Sequence, residues 1–232
     1  MADLVTYERD GPVSTVTMDD GKVNVFGFDM LRALHEAFDA AEHDETVVLL
    51  AGRPGYFSAG FDLKVLRDAT PDDTRELLRL GATLAERILT FPTPVVVACP
   101  GHAFPAGAFL LMAADERIGV SGPFKLGLNE VRIGLTLPWF AIVLARHRLT
   151  PSAFDHATVT RTMFDPEEAV TAGLLDTVVA PEDLEAAAGT AAADLATIDR
   201  RAHAGTKRRV RQSVVEELRA AIDSESAPRG SS

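Results

Sequence analysis

The chain has 232 residues, 47% apolar and 25% charged, a balance that supports one large domain with a sizeable core. Its formal net charge of -11 speaks against a general nucleic-acid binder, whose affinity rests on neutralising phosphates, although local positive clusters can still hold a small anion. A lone Cys excludes an intramolecular disulfide, and no spacing of His, Cys, Asp or Glu resembles a metal site.

In chain order, Val13 to Met18 alternates around β-branched residues and reads as a strand, with Leu4 to Tyr7 as its partner across the turn Asp10-Gly11-Pro12. Phe28, Leu31, Leu34, Phe38 and Ala41 recur at helical spacing, with Asp29, Arg32, Glu36 and Asp39 on other faces, which predicts an amphipathic helix. Thr46 to Ala51 and Val95 to Ala98 are continuous apolar runs suited to strands buried on both faces. Between them, Pro71 to Leu89 is a long helix that starts at Thr70-Pro71-Asp72-Asp73. Ala106 to Ala114 reads as a buried helix and Arg117 to Val120 as the next strand. This order predicts a layered α/β arrangement with parallel strands.

From Pro138 onward helices dominate: 138–148, 151–160 and 166–172 each open on Pro, which suits a first helical turn. A short strand is expected over Asp176 to Ala180, then helices over Pro181 to Ile198 and Arg200 to Ile222, then a frayed polar tail. Met1 to Asp10 is polar and acidic, unlike a signal peptide, and the longest nearly apolar stretch, Ala103 to Ala114, is too short to span a bilayer. A cytoplasmic protein without a membrane partner is expected, and Cys99, within an apolar run, is expected to be a buried, inert thiol.

Two segments carry the functional signal: Phe57-Ser58-Ala59-Gly60-Phe61-Asp62-Leu63, and Pro105-Ala106-Gly107-Ala108-Phe109-Leu110. Each sets Gly at a turn before a helix, where free backbone N–H groups collect. They are either tight strand-to-helix turns or, if they converge, two donors for one oxygen gaining negative charge.

These residues resemble the enoyl-CoA hydratase/isomerase (crotonase) family. Phe57 to Lys64 is similar to its first signature, and Pro94-Val95-Val96-Val97-Ala98 through Gly101, Gly107 and Asp115 to its second. Leu128-Asn129-Glu130-Val131-Arg132-Ile133-Gly134 resembles the third, and Ala172-Gly173-Leu174-Leu175-Asp176 looks like a further family element. Order and spacing agree over residues 3 to 200 or so. The resemblance implies an α/β crotonase-like ββα spiral over 1–180, a C-terminal helical trimerisation region over 181–223 and a flexible tail over 224–232.

It also implies an acyl-coenzyme A thioester as substrate, with no further cofactor, and a homotrimer or dimer of trimers. The implied reactions are isomerisation or hydration of enoyl-CoA in fatty acid metabolism. A non-catalytic acyl-CoA binder and a thioester hydrolase remain as alternatives on the same scaffold. The thioester oxygen would sit between the N–H groups of Phe61 and Ala106, and Ala59, Gly60, Phe61, Asp62 and Leu63 would line the coenzyme A path. Lys64, Gly107 and Phe109 complete the implied binding set.

Pro105 has no N–H, so Ala106 must supply the second donor. Glu130, flanked by Leu128 and Val131, would be desolvated and its pKa raised toward neutrality, as a general acid/base requires; otherwise it is a surface loop Glu. Family hydratases usually carry a second Glu where this chain has Phe109, so the two-carboxylate clamp on water is missing. A single Glu suffices to carry a proton between two carbons. Bulk at Phe109, Trp139 and Phe140 signals either a reshaped acyl site or core packing. Asp62 reads as a helix cap, His102 as a packed loop residue, and Ser58 with His102 lacks the Gly-x-Ser-x-Gly elbow of a nucleophilic hydrolase. Lys64, Arg67 and the run Lys207-Arg208-Arg209-Arg211 are either solvated basic faces or partners for phosphates.

Overall fold

The computed structural model describes residues 3–160 and 163–226. Strands β1 (Val5–Asp10) and β2 (Val13–Met18) pair antiparallel, with Val5 opposite Met18. The alternation is as expected: Ser14, Val16 and Met18 face inward, while Val13, Thr15 and Thr17 are half-buried. β3 (Val25–Phe26) leads into α1 (Phe28–Asp44), β4 (Val47–Ala51), β5 (Gly55–Ser58) and β6 (Gly60–Phe61). Next come α2 (Leu63–Asp68), α3 (Pro71–Thr90), β7 (Val95–Cys99), β8 (Gly101–Ala103), α4 (Pro105–Ala113) and β9 (Glu116–Val120). The remainder is α5 (Trp139–Arg148), α6 (Pro151–Thr158), α7 (Pro166–Ala172), β10 (Thr177–Val179), α8 (Leu184–Leu195) and α9 (Arg200–Ser226).

Six strands form one sheet in the order β1-β2-β4-β7-β9-β10, parallel except at β1/β2; β3/β6 and β5/β8 form two small parallel pairs. The central strands are apolar throughout because both faces are covered. Val48, Leu50, Val95, Val97 and Cys99 face the main core with α1, α3 and α4. Val47, Leu49, Val96 and Ala98 face Leu184, Ala188 and Ala192 of α8. Burial pushes the Cys99 thiol up to about 12, so it is inert, as expected.

A buried ionic cluster ties the last helix to this core. Asp115 accepts from the Val95 N–H at 2.8 Å, from Lys207 Nζ at 2.6 Å and from Arg211 at 2.9 Å. Arg211 also donates to the carbonyls of Leu89 (2.9 Å) and Ala113 (3.4 Å), and Arg148 to those of Met112 (3.0 Å) and Ala114 (2.6 Å). These carbonyls close α3 and α4, where cations complement the negative end of the helix dipole. The basic run is therefore no uniform solvated face. Arg208 and Arg209 are exposed, but Lys207 and Arg211 lie one helical turn apart on the side of α9 that buries Val214 and Leu218.

Other boundaries shift modestly. The helix expected over 181–198 is a 3-10 turn (Pro181–Asp183) followed by α8, which ends at Leu195. α9 continues through Ser226, past the tail boundary expected at 224, and the rest of that tail, 227–232, lies outside the described residues. Among the described residues no helix is long and apolar enough to cross a membrane, and no cluster of His, Cys, Asp or Glu suits a metal ion.

Candidate active site

Ser58 joins the two Gly-containing loops. Its hydroxyl donates to the Asn24 carbonyl at 2.6 Å and accepts from the Gly60 N–H at 3.0 Å; its carbonyl accepts from the Phe104 N–H at 2.9 Å. Asn24, at a left-handed φ of 55°, uses its amide to tie Met18 O (2.9 Å) and Phe57 O (3.2 Å) into the same knot. With its hydroxyl so engaged and the residue fully buried, Ser58 is not placed as a nucleophile. His102 is likewise occupied: its Nδ1 accepts from the Lys125 N–H at 3.0 Å, and its ring stacks on Phe104.

The first loop differs from the helix-end arrangement expected of it. Gly60 takes φ +87°, which lets the chain turn sharply, and Gly60–Phe61 then pairs with β3 as a strand. The Asp62 N–H donates to Phe26 O at 3.1 Å, and successive amides of an extended strand alternate sides, so the Phe61 N–H points away from β3. Asp62 is the expected cap: its carboxylate accepts from the amides of Lys64 (2.8 Å) and Val65 (3.4 Å). The positive end of α2 is thus already satisfied, and the expected donor of this loop, the Phe61 N–H, is a strand amide rather than a helix-end one.

The second loop has the expected form. Pro105 opens α4, no side chain caps that end, and the Ala106 N–H lies in the first turn, without an intrahelical acceptor. Ala106 is itself buried. Its nitrogen lies 3.5 Å from the point a Cβ on Gly60 would occupy, so the loops meet within one residue of both expected donors. Gly107 packs on Ser58, where an added Cβ would come within 2.9 Å of the Ser58 Cβ. Ala59 is half-buried, and Leu63 and Lys64 are exposed at the start of α2, with Arg67 one turn on.

Glu130 is 7% exposed, and its Oε2 has no hydrogen-bond partner. Desolvation pushes its carboxyl up to about 7, against the opposing pull of its own amide and that of Asn129. It ends the segment carrying the buried Leu128 and opens a 3-10 turn (Val131–Ile133) whose carbonyl ties close the loop: Ile133 N–H and Leu135 N–H both donate to Glu130 O. A carboxyl held dry and titrating near neutrality can take up or release a proton at physiological pH.

Phe109 is core. It is 1% exposed, with its ring centroid 6.5 Å from that of Phe61 and 5.5 Å, edge-on, from that of Phe140. Phe140 is buried with it, whereas Trp139 is 60% exposed. A cavity of about 580 Å³ beside β3 and α2 is lined by Asp20, Asp29, Asp62, Asp73 and Glu76 against a single Arg32. That charge balance does not suit a phosphorylated ligand. Sequence reasoning missed the roles of Asn24 and of Ser58 as the knot between loops; Asn at a left-handed turn was the signal available.

Comparison with known proteins agrees with this architecture. The sequence profile of the enoyl-CoA hydratase/isomerase family matches residues 8–228. A solved enoyl-CoA hydratase/isomerase family protein from Pseudomonas syringae superposes with a TM-score of 0.95 at 47% identity, over 97% of each chain. An enoyl-CoA isomerase of Mycobacterium tuberculosis superposes at 0.93 and 40% identity, over 97% of this chain and 98% of that one. The probable enoyl-CoA hydratase EchA17 of Mycobacterium tuberculosis is 32% identical over 145 residues, which is 62% of this chain but only 55% of that relative. The fold shared with the two solved structures is the α/β crotonase-like spiral.

Proposed function

The chain belongs to the enoyl-CoA hydratase/isomerase family, and on that premise we propose that it isomerises the double bond of enoyl-CoA thioesters. Glu130 removes a proton from C2 of a 3-enoyl thioester, and the electron pair moves onto the thioester oxygen. The N–H groups of Phe61 and Ala106 hold that oxyanion; losing one such donor typically costs about 3 kcal/mol of transition-state stabilisation. The enolate collapses with the double bond moved to C2–C3, and Glu130 returns the proton to C4. No atom is gained or lost.

The observation that carries this reading is the buried carboxyl of Glu130, whose Oε2 has no hydrogen-bond partner and whose pKa burial pushes up to about 7. Hydration, favoured by the name of EchA17, needs a second acid to manage water, and Phe109 supplies none. Ala59 to Leu63 and Gly107 would follow the pantetheine arm through main-chain atoms, and exposed Lys64 and Arg67 would meet the phosphates of coenzyme A. Assembly into trimers would cover the exposed Val131, Ile133, Leu135 and Trp139 that follow Glu130.

The test is incubation with paired 2-enoyl and 3-enoyl thioesters, with products followed by chromatography and mass. Interconversion at constant mass that disappears in Glu130→Gln supports the reading. A product heavier by one water, release of free coenzyme A, binding without conversion, or a fully active Glu130→Gln each rejects it.

A further inference from the structure

The proposed chemistry uses the Phe61 amide and leaves its side chain without a task. That ring lies between α3 and α4. A Cβ at Gly81 of α3 would come within 2.6 Å of Phe61 Cζ and 2.7 Å of Cε1, distances at which something must move. On its other side the ring meets Phe109 of α4, which in turn meets Phe140 of α5. Three rings thus run in a row from β6 to α5, and one end of the row sits on a bare turn of α3. Gly in the interior of a 20-residue helix weakens it relative to Ala, so the residue is unhelpful to α3 itself. The close approach of Phe61 accounts for it.

We propose that Gly81 is a positioning residue: its missing side chain is the seat for the Phe61 ring, and the seated ring row fixes where the Phe61 N–H points. The proposal rests on the oxyanion reading of that amide. The backbone around Phe61 is held by the two-residue pairing of β3 with β6, by the Gly60 N–H on Ser58 Oγ and by the Asp62 N–H on Phe26 O; none of these engages the Phe61 side chain, whose anchorage adds a further constraint. A methyl group at 81 forces the ring outward by about 1 Å to reach ordinary contact; Phe109, buried and packed on Phe140, limits the shift on the α4 side, so the half-buried Phe61 ring moves toward its exposed side. A displacement of that size near a reacting centre can cost about a hundredfold in rate. Because the amide acts on charge that develops in the transition state, the loss falls on kcat rather than KM.

The experiment is Gly81→Ala in the full chain, assayed with a 3-enoyl thioester beside Glu130→Gln, Phe61→Ala and Gly81→Ala/Phe61→Ala. The expected result is a kcat lowered by about ten- to a hundredfold with KM within about twofold, in a chain that stays folded at the assay temperature because the helix gain from Ala offsets part of the overpacking cost. In the Phe61→Ala background, where no ring remains to displace, Gly81→Ala changes kcat by less than about twofold. Independently of turnover, the amide resonance of Phe61 shifts in Gly81→Ala while that of Val97 in the central strand stays in place. Parental kcat in Gly81→Ala, an undiminished loss in the Phe61→Ala background, or an unmoved Phe61 amide overturns the seat. An active Glu130→Gln overturns the isomerase reading instead, so the two failures are distinct.

Discussion

Replacing Glu130 by Gln keeps the shape of the side chain and removes its ionisation. The native carboxyl titrates at about 7, against 4.5 when solvated. The folded chain therefore holds this proton more tightly than the unfolded chain does, and stability falls as pH rises from about 4.5 to about 7. At about 1.4 kcal/mol per pH unit, ionising Glu130 costs the folded state about 3 kcal/mol above neutrality. Gln carries no such penalty. The stability of Glu130→Gln relative to the parent should climb by about 3 kcal/mol between pH 4.5 and 7 and stay level above, a gain of roughly 6–12 °C in midpoint for a chain of this size. Urea unfolding of both proteins at half-unit steps from pH 4.5 to 8.5 measures it. A difference that does not change across this range would mean that the carboxyl is solvated or paired, and the acid/base assignment would lose its physical basis.

The same group sets the rate profile: kcat/KM should fall about tenfold per pH unit below about 7, as Glu130 becomes protonated and cannot accept; a flat profile between pH 5 and 7 refutes this. Phe109→Ala should cost about 3–5 kcal/mol in denaturant unfolding because the ring is core. A cost below 1 kcal/mol, with longer acyl chains newly accepted, would instead make Phe109 a wall of the acyl site. Asp115→Asn should cost about 3–5 kcal/mol, since it strands buried Lys207 and Arg211 without a counter-charge; an unchanged urea midpoint would show the cluster to be dispensable.

Much of the fold was legible because its signals are local. The buried strands were visible as unbroken apolar runs, and α3 through Thr70-Pro71 and the spacing of Leu77, Leu80, Leu84 and Ile88, of which all but the half-buried Leu80 are buried. Glu130 stood out by position within a signature, and burial then supplied the physical reason. What escaped the sequence depends on residues far apart along it. Lys207 and Asp115 are 92 positions apart, and nothing in the run Lys207-Arg208-Arg209-Arg211 marks the two cations that turn inward. Phe61 looked like a loop residue before a helix because its strand partner, Phe26, belongs to a two-residue strand too short to show periodicity. Gly81 carries no signal in the sequence, because the ring it accommodates lies 20 positions away on β6.

The clamp on the far end of α4 bears on chemistry it never touches. Arg148 and Arg211 quiet the negative pole of that helix, while its opposite pole, at Ala106, is left without a capping side chain. A rod gripped at its base and bare at its tip directs an unspent electrostatic field, and a fixed direction, toward whatever oxygen arrives there. Damage to α9, which begins 21 positions beyond the end of the last strand, would therefore reach the reacting atoms through the handle rather than the blade.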